Sequence, residues 1–216
     1  MNNATVETIE KRVAKMYADM NALAITHGDR IKRGYNVLYG PPMVKPKLML
    51  ISFQPGGEDG IAYQTYPDTL AYVKDNFKFG KTLRKHMQEA GLSDVLEKHT
   101  VATTAVFAQA PASESSKWAT GKGSYKIWRE FSLESVRELI DLMHPEVIVI
   151  FGTKTKDIFK PELTNTRHNH KQHILTYGEG ELEGIPLVYC MHLSQGWVAS
   201  EVQKSFRKVK ELLACR

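Results

Sequence analysis

Four short polar segments of this chain each follow an apolar run, and they carry amide, carboxylate, lysine and imidazole side chains. They are Gln54-Pro-Gly-Gly-Glu58-Asp59, Phe107-Ala-Gln109, Gly152-Thr153-Lys154 and His192-Leu-Ser-Gln-Gly-Trp197. An amide orients a water molecule through its oxygen, and an imidazole donates or accepts a proton near neutral pH. The question is whether the fold brings these segments together.

The apolar runs have the length of β-strands. They are Leu48–Phe53, Thr100–Val106, Val147–Phe151 and Pro186–Met191. Runs that are apolar almost throughout are typical of parallel strands covered on both faces. Ligands of open parallel sheets bind beyond the carboxyl ends of the strands, so we expect the four polar segments at one rim of a sheet.

Segments with helical spacing of apolar residues alternate with the strands. They are Val6–Ala24, Ala71–Ala90 with an interruption near Gly80, Ile127–Met143 and Val198–Leu213. This alternation predicts βαβ units in a three-layer α/β/α sandwich around a mainly parallel, four-stranded sheet. Residues 1–216 are expected to form a single domain. Two stretches, Gln109–Gly123 and Lys160–Gly184, are predicted to be long loops.

Composition narrows the class of protein. Two cysteines are too few for a disulfide framework or a cysteine-ligated cluster, and the chain lacks a run of about 18 apolar residues. Because the start also lacks a secretory pattern, we expect a cytoplasmic protein without a membrane segment. The net charge of +5 favours polyanionic partners, although solvated helix faces explain it equally well. The basic clusters are Arg30, Lys32 and Arg33; Lys117, Lys122, Lys126 and Arg129; and Lys204, Arg207, Lys208 and Lys210.

Neither a metal nor a cofactor is expected. The string His168, His170 and His173 would bind zinc only if its ring nitrogens converged, and no cysteine or obvious carboxylate completes the set. We favour solvated or phosphate-facing histidines there. The turn Pro55-Gly56-Gly57 lacks both the dinucleotide fingerprint and the P-loop pattern.

Three landmarks in order resemble the uracil-DNA glycosylase superfamily, particularly its mismatch-specific and divergent branches. Ile51-Ser-Phe-Gln54-Pro55-Gly56 looks like the first motif, and His192-Leu193-Ser194 looks like the second, where His-Pro-Ser is usual. Between them, His144-Pro-Glu-Val-Ile-Val-Ile-Phe-Gly152 is similar to the third strand of that family. The resemblance spans about Tyr39 to Trp197.

The resemblance implies base excision from single- or double-stranded DNA by a monomer. Such a reaction passes through an oxocarbenium-like state and needs a positioned water and a donor to the departing base. By analogy, Gln54 positions the water, His192 donates to a base oxygen, and Ser194 completes the centre.

The first motif departs from its relatives. Gln54 stands where they carry Asp or Asn, and an amide orients water without acting as a general base. Branches with a catalytic Glu place it where this chain has Phe53. Glu58 and Asp59 are the nearest carboxylates that would substitute, and the alternative is that both are merely solvated.

The resemblance also implies residues that hold a flipped base. Thr104, or its neighbour Thr103, lies where many relatives place a base-reading Asn, and its alternative role is strand packing. Phe79 is the expected stacking platform, with Tyr63 and Tyr66 as alternatives, and Trp197 is either a wedge or the first buried residue of a helix. The expected substrate contacts are Phe53, Pro55, Gly56, Phe79, Thr104 and Trp197.

Three functions therefore stay open on the sequence. The first is an N-glycosylase-like enzyme acting on a uracil-like or deaminated base in DNA. The second is a nucleic-acid or nucleotide-binding module of the same fold that has lost catalysis. The third is a hydrolase of free nucleosides or nucleotides.

Overall fold

A computed structural model describes residues 4–27, 34–56, 65–169, 174–195 and 199–215 of the chain. Its strands form one six-stranded sheet of order β2-β1-β3-β6-β5-β4. The strands are β1 (Leu48–Ser52), β2 (Thr100–Thr104), β3 (Val147–Phe151), β4 (Leu163–Asn169), β5 (Ile174–Leu182) and β6 (Ile185–Cys190). The four apolar runs of the sequence therefore correspond to β1, β2, β3 and β6.

The sheet is mostly parallel, as the apolar runs predict. Strand β1 pairs in parallel with β2 and β3, and β3 pairs in parallel with β6. Strands β5 and β4 extend the sheet in antiparallel fashion beyond β6. The predicted α/β class is confirmed, but the predicted number of four strands is wrong.

The two additional strands come from the segment that the sequence predicts to be a loop. The middle of β4, from Thr164 to His168, is exposed, and its residues are polar. An edge strand with one neighbour tolerates polar side chains on both faces, so it lacks the apolar alternation by which strands are recognised.

Helices cover both faces of the sheet. They are α1 (Val6–His27), α2 (Ala71–Lys74), α3 (Lys78–Glu89), α4 (Ser93–Lys98), α5 (Ser115–Thr120), α6 (Tyr125–Met143), α7 (Thr153–Phe159) and α8 (Ala199–Ala214). Helices α1, α5, α6 and α7 bury apolar residues in one core cluster, and α2, α3, α4 and α8 contribute to a second. Alternate strand residues divide between the clusters, Met49 and Ile51 in the first and Leu48 and Leu50 in the second. The three-layer sandwich is therefore confirmed.

The break between α2 and α3 is not where the sequence predicts it. Gly80 lies inside α3, and the break falls at residues 75–77. Nη1 of Arg84 donates to the carbonyl oxygens of Tyr72 at 2.6 Å, Val73 at 3.1 Å and Asp75 at 3.0 Å. These bonds satisfy carbonyl groups that the end of a helix leaves without partners, so α2 ends there.

The order of the strands creates a crevice at one rim of the sheet. The chain leaves β1 for β2 on one side and later returns to β3 on the other side of β1. Such a reversal of direction opens a space beyond the carboxyl ends of the strands, where open α/β sheets bind ligands. No helix in the described part of the chain is long and apolar enough to cross a membrane.

Candidate functional site

A cavity of about 630 Å³ lies at the carboxyl rim of the sheet, and we call it the rim cavity. Six of the residues singled out from the sequence line it: Gln54, Pro55, Gly56, Phe79, His192 and Ser194. Gln54 follows β1 and His192 follows β6, and β3 separates these two strands in the sheet. The fold therefore brings the ends of the first and last parallel strands to one cavity, as the sequence predicts.

The side chain of Gln54 is fixed at one end. Its Nε2 donates a 2.7 Å hydrogen bond to the carbonyl oxygen of Ala110, which identifies that end as the amide nitrogen. Its Oε1 is buried and has no hydrogen-bond partner among the described residues. A buried acceptor without a partner is costly, so the site is stabilised when a hydrogen-bond donor reaches this oxygen.

The side chain of His192 is held through its Nδ1. Oγ of Ser194 lies 2.7 Å from that nitrogen, and the backbone N–H of Ser194 also donates to it at 3.4 Å. Because a backbone N–H can only donate, Nδ1 must be an acceptor and the ring proton must be on Nε2. Burial also lowers the pKa of His192, which keeps the imidazole neutral at pH 7. His192 is therefore a neutral donor through Nε2.

Gly152, directly after β3, leaves space for this histidine. Its φ of +83° lies in the region that favours glycine, and a Cβ at this position would lie 3.2 Å from Cβ of His192. The close approach of backbone and imidazole explains why the third strand ends in glycine.

Aromatic rings form one wall of the rim cavity. The ring centroid of Phe79 lies 5.4 Å from that of His192, 5.1 Å from Tyr72 and 5.1 Å from Phe151. Tyr72 in turn stacks on Tyr39 at 5.2 Å, with an interplanar angle of 25°. Burial raises the pKa of Tyr72 to about 12, so the hydroxyl of this residue is uncharged at pH 7. Stacking of a planar ligand fits such a surface.

Two of the predicted substrate contacts are core residues that do not line the rim cavity. Phe53 belongs to the core cluster formed with α1 and α6, because successive strand residues point to opposite faces of the sheet. Nζ of Lys154 lies 5.5 Å from the centroid of its ring. Thr104 pairs with Ser52 in the sheet and is fully buried, and its Oγ1 has no partner among the described residues. The hydroxyl of Thr103 donates to the carbonyl oxygen of Val37 at 2.7 Å.

Other predicted residues lie elsewhere or outside the described part of the chain. Tyr66 lines a different cavity beside α1, where its hydroxyl donates to Glu10 at 3.1 Å. His168 is exposed on β4. The residues outside the described ranges are Glu58, Asp59, Tyr63, His170, His173 and Trp197. The described ranges contain no group of three or more His, Cys, Asp or Glu side chains that could hold a metal ion.

Sequence reasoning missed a groove of about 320 Å³ beside the rim cavity, which we call the lysine groove. Lys78, Lys81 and Lys85 of α3 line it, all three are exposed, and His192 borders both spaces. Their spacing of three and four residues, which places side chains on one helical face, is the signal that would have identified them.

The basic clusters noted in the sequence are partly neutralised locally. Nζ of Lys208 lies 3.1 Å from a carboxylate oxygen of Glu179 and 3.5 Å from one of Glu211. Lys126 lies 3.6 Å from Glu130. In contrast, Lys78 and Lys81 have no ion-pair partner among the described residues, so their charge is available to an anionic ligand.

Sequence reasoning also missed Asn36, a buried polar residue that lines the rim cavity. It precedes β1 in a segment that bridges to β2 at Leu38 and to Ala108, beyond the end of β2, at Tyr35. The segment has neither strand nor helix periodicity, so no pattern in the sequence distinguishes this asparagine from a loop residue.

Comparison with known proteins agrees with this architecture. A search of curated proteins finds no significant match. The family model of the uracil DNA glycosylase superfamily matches residues 39–214, which include all six strands and both segments that hold Gln54 and His192. The chain therefore belongs to the uracil DNA glycosylase superfamily.

Proposed function

We propose that this protein hydrolyses the bond between deoxyribose and a uracil-like or deaminated base that has been flipped out of DNA. The observation that carries the proposal is that Gln54 and His192 line one cavity with an aromatic wall. At about 630 Å³, the rim cavity is within the range of small-ligand sites and admits a single base with its sugar. Flipping is required because the bond is out of reach within a duplex.

His192 assists departure of the base. As the bond between C1′ and the base nitrogen breaks, its electron pair moves to the base, and negative charge develops on a carbonyl oxygen. The neutral imidazole donates its Nε2–H to that oxygen, and the hydrogen bonds to Nδ1 fix the tautomer. A pre-oriented donor in a site that excludes water stabilises such charge more strongly than solvent does.

Gln54 orients the attacking water. Its amide is held by Ala110, and Oε1 accepts a hydrogen bond from a water directed at C1′. The water oxygen bonds to C1′, and the water proton is lost to the departing base or to solvent. Because the sugar has oxocarbenium character before water attacks, orientation of the water is the requirement that an amide can meet.

Phe79 provides the stacking surface. It is only half-buried, and its ring lies beside both His192 and the packed ring of Phe151. Those contacts hold the platform next to the hydrogen-bond donor. Stacking of a base on an aromatic ring contributes about 1–3 kcal/mol and tolerates different bases.

The lysine groove supplies the contacts to the DNA backbone. A flipped nucleotide in the rim cavity carries phosphates on both sides, and Lys78, Lys81 and Lys85 lie along the adjoining groove. Lysine is a point-charge ligand for phosphate, and it adds affinity without sequence preference.

The test is incubation with end-labelled single- and double-stranded DNA that contains uracil, hypoxanthine or a mismatch, followed by alkaline cleavage at abasic sites. The proposal requires strand breaks at the modified base that are lost in His192→Ala. Salt-dependent binding without breaks would favour a binding module instead. Release of bases from free nucleosides alone would identify a nucleoside hydrolase.

A further inference from the structure

Asn36 is held rigidly at the wall of the rim cavity. Its backbone N–H donates to the carbonyl oxygen of Phe107 at 2.9 Å, and its neighbours Tyr35 and Leu38 bridge to Ala108 and to Thr103 of β2, respectively. Only 4% of the residue is exposed, and it faces the same cavity as Gln54 and His192. An asparagine buried to this degree needs partners for its amide.

Tyr17 of α1 determines which end of that amide faces the cavity. The hydroxyl oxygen of Tyr17 accepts bonds from the backbone N–H groups of Val37 and Leu38, each at 3.3 Å. Its proton is therefore directed to Asn36, 2.8 Å away, where only Oδ1 can accept it. The amide oxygen is thereby fixed beside Tyr17.

The nitrogen of the amide is the end available to a ligand. Among the described residues no partner bonds to Nδ2 of Asn36, which carries two hydrogens. Nδ2 is not among the fully buried unpaired atoms, so it reaches the space of the rim cavity. A base that displaces water from this donor must supply an acceptor in its place, because a desolvated donor without a partner is costly.

We infer that Asn36 is a specificity-determining residue, which accepts bases that carry a carbonyl oxygen and rejects bases that carry an amino group at the same edge. The inference rests on the proposed function, since it concerns the base held in the rim cavity. Uracil and hypoxanthine present an oxygen where cytosine and adenine present an amino group. An amino group would place a donor against the donor Nδ2, and Oδ1 cannot exchange places with Nδ2 while Tyr17 bonds to it.

This role differs from that expected of Thr104. A threonine hydroxyl both donates and accepts, so it cannot reject an amino group, and Thr104 does not line the rim cavity. Asn36 comes from the segment before β1, on a different part of the chain from the strand end where the resemblance places a base-reading side chain.

The experiment measures single-turnover excision of uracil and of cytosine from the same DNA by the wild type and three variants. Asn36→Ala is expected to lower uracil excision about tenfold to a hundredfold, and Asn36→Asp, which presents an acceptor, should shift the ratio towards cytosine. The matched control is Asn21→Ala, because Asn21 also accepts a hydrogen bond from a tyrosine, Tyr35, but lines the other cavity. Circular dichroism and melting temperature check that each variant folds.

A second measurement, an NMR titration, uses the wild-type protein alone and does not depend on catalysis. Free uracil and free cytosine are titrated into the ¹⁵N-labelled wild-type protein, and the side-chain amide signal of Asn36 is followed by NMR. A shift with uracil but not with cytosine is expected, and it would support the inference even if no base were excised. Equal shifts with uracil and cytosine would overturn the inference about Asn36. So would an unchanged ratio of uracil to cytosine excision in Asn36→Ala, provided that uracil is still excised. Both outcomes would leave the proposed function intact. Absence of both excision and base binding would overturn both.

Discussion

The hydroxyl oxygen of Ser194 lies 2.7 Å from Nδ1 of His192, at the point where the chain leaves β6. The backbone N–H of the same serine donates to that nitrogen, which leaves Nε2 as the protonated nitrogen of the ring. Two hydrogen bonds from Ser194, which follows His192 by two positions in the chain, thus determine the tautomer of the histidine. A family motif of three residues has a direct physical meaning here: the serine sets what the histidine can donate.

Ser194→Ala tests this relationship through the pH profile of excision. Burial lowers the pKa of His192, so activity should be constant around pH 7 and fall only below about pH 6.5, where the imidazole gains a proton. Loss of the serine hydroxyl removes a bond that favours the neutral ring, so the acidic limb should move to higher pH, and the rate at pH 7 should fall about tenfold. Single-turnover rates between pH 5 and 8 measure both effects. A reduced rate with an unmoved acidic limb would show that Ser194 serves structure alone.

Gln54→Ala tests the positioning of water. It removes the orienting oxygen but leaves the aromatic wall and the lysine groove, so the excision rate should fall about 10²-fold with little change in DNA affinity. Single-turnover rates and fluorescence anisotropy separate the two quantities. Gln203→Ala is the control, since Gln203 bonds to His86 at 2.9 Å and does not line the rim cavity. Weaker binding with an unchanged rate would contradict the assignment.

Gly152→Ala tests whether the end of β3 positions His192. The added methyl group strains a backbone with φ of +83° and lies 3.2 Å from Cβ of the histidine, so the protein should lose about 1–3 kcal/mol of stability and most of its activity. Gly184→Ala is the matched control, because φ there is +74° and no atom lies within 4 Å of an added Cβ. Urea unfolding and single-turnover excision should show a loss of stability in both variants and a loss of activity in Gly152→Ala only. Equal activities in the two folded variants would refute the positioning role.

Lys78→Gln, Lys81→Gln and Lys85→Gln test the path of the DNA backbone. Each substitution that removes a phosphate contact should weaken binding of all sequences alike and reduce the slope of log affinity against log salt by about 0.7–0.9. Anisotropy titrations between roughly 50 and 200 mM salt measure this slope. Lys126→Gln should leave the slope unchanged, because Lys126 does not line the lysine groove. It is matched to Lys85, since each of these lysines pairs with a glutamate four residues later on its own helix. Equal slopes for all four variants would place the DNA elsewhere.

The sequence predicts those strands of this protein whose residues are apolar throughout or alternate regularly. Val147–Phe151 is a strand from its first predicted residue to its last, because a fully buried strand must be apolar throughout. β4 is polar at the sheet edge and contains a bulge between Thr164 and Arg167, which removes the alternation that marks a strand. Hence the same physical rule explains the success at β3 and the failure at β4.

Among the residues of the candidate site, only those directly after the carboxyl end of a predicted parallel strand could be predicted from the sequence. Gln54 and His192 are found by that rule, since the carboxyl ends of parallel strands share one rim. Asn36 and Tyr17 are brought together by packing of α1 against the segment before β1, and no spacing in the sequence encodes that contact. Phe53 and Thr104 were assigned to substrate from their positions in a motif, but strand alternation and burial direct both into the core.

In the proposed reaction, water oriented by Gln54 replaces a base whose departure His192 assists. The most direct measurement is a single-turnover reaction of uracil-containing DNA, with mass spectrometry of the released base and of the DNA strand left behind. Free uracil and an unbroken strand with one abasic site are expected with the wild-type protein, and neither product is expected with His192→Ala. No free base from the wild type, or undiminished release by His192→Ala, would contradict it.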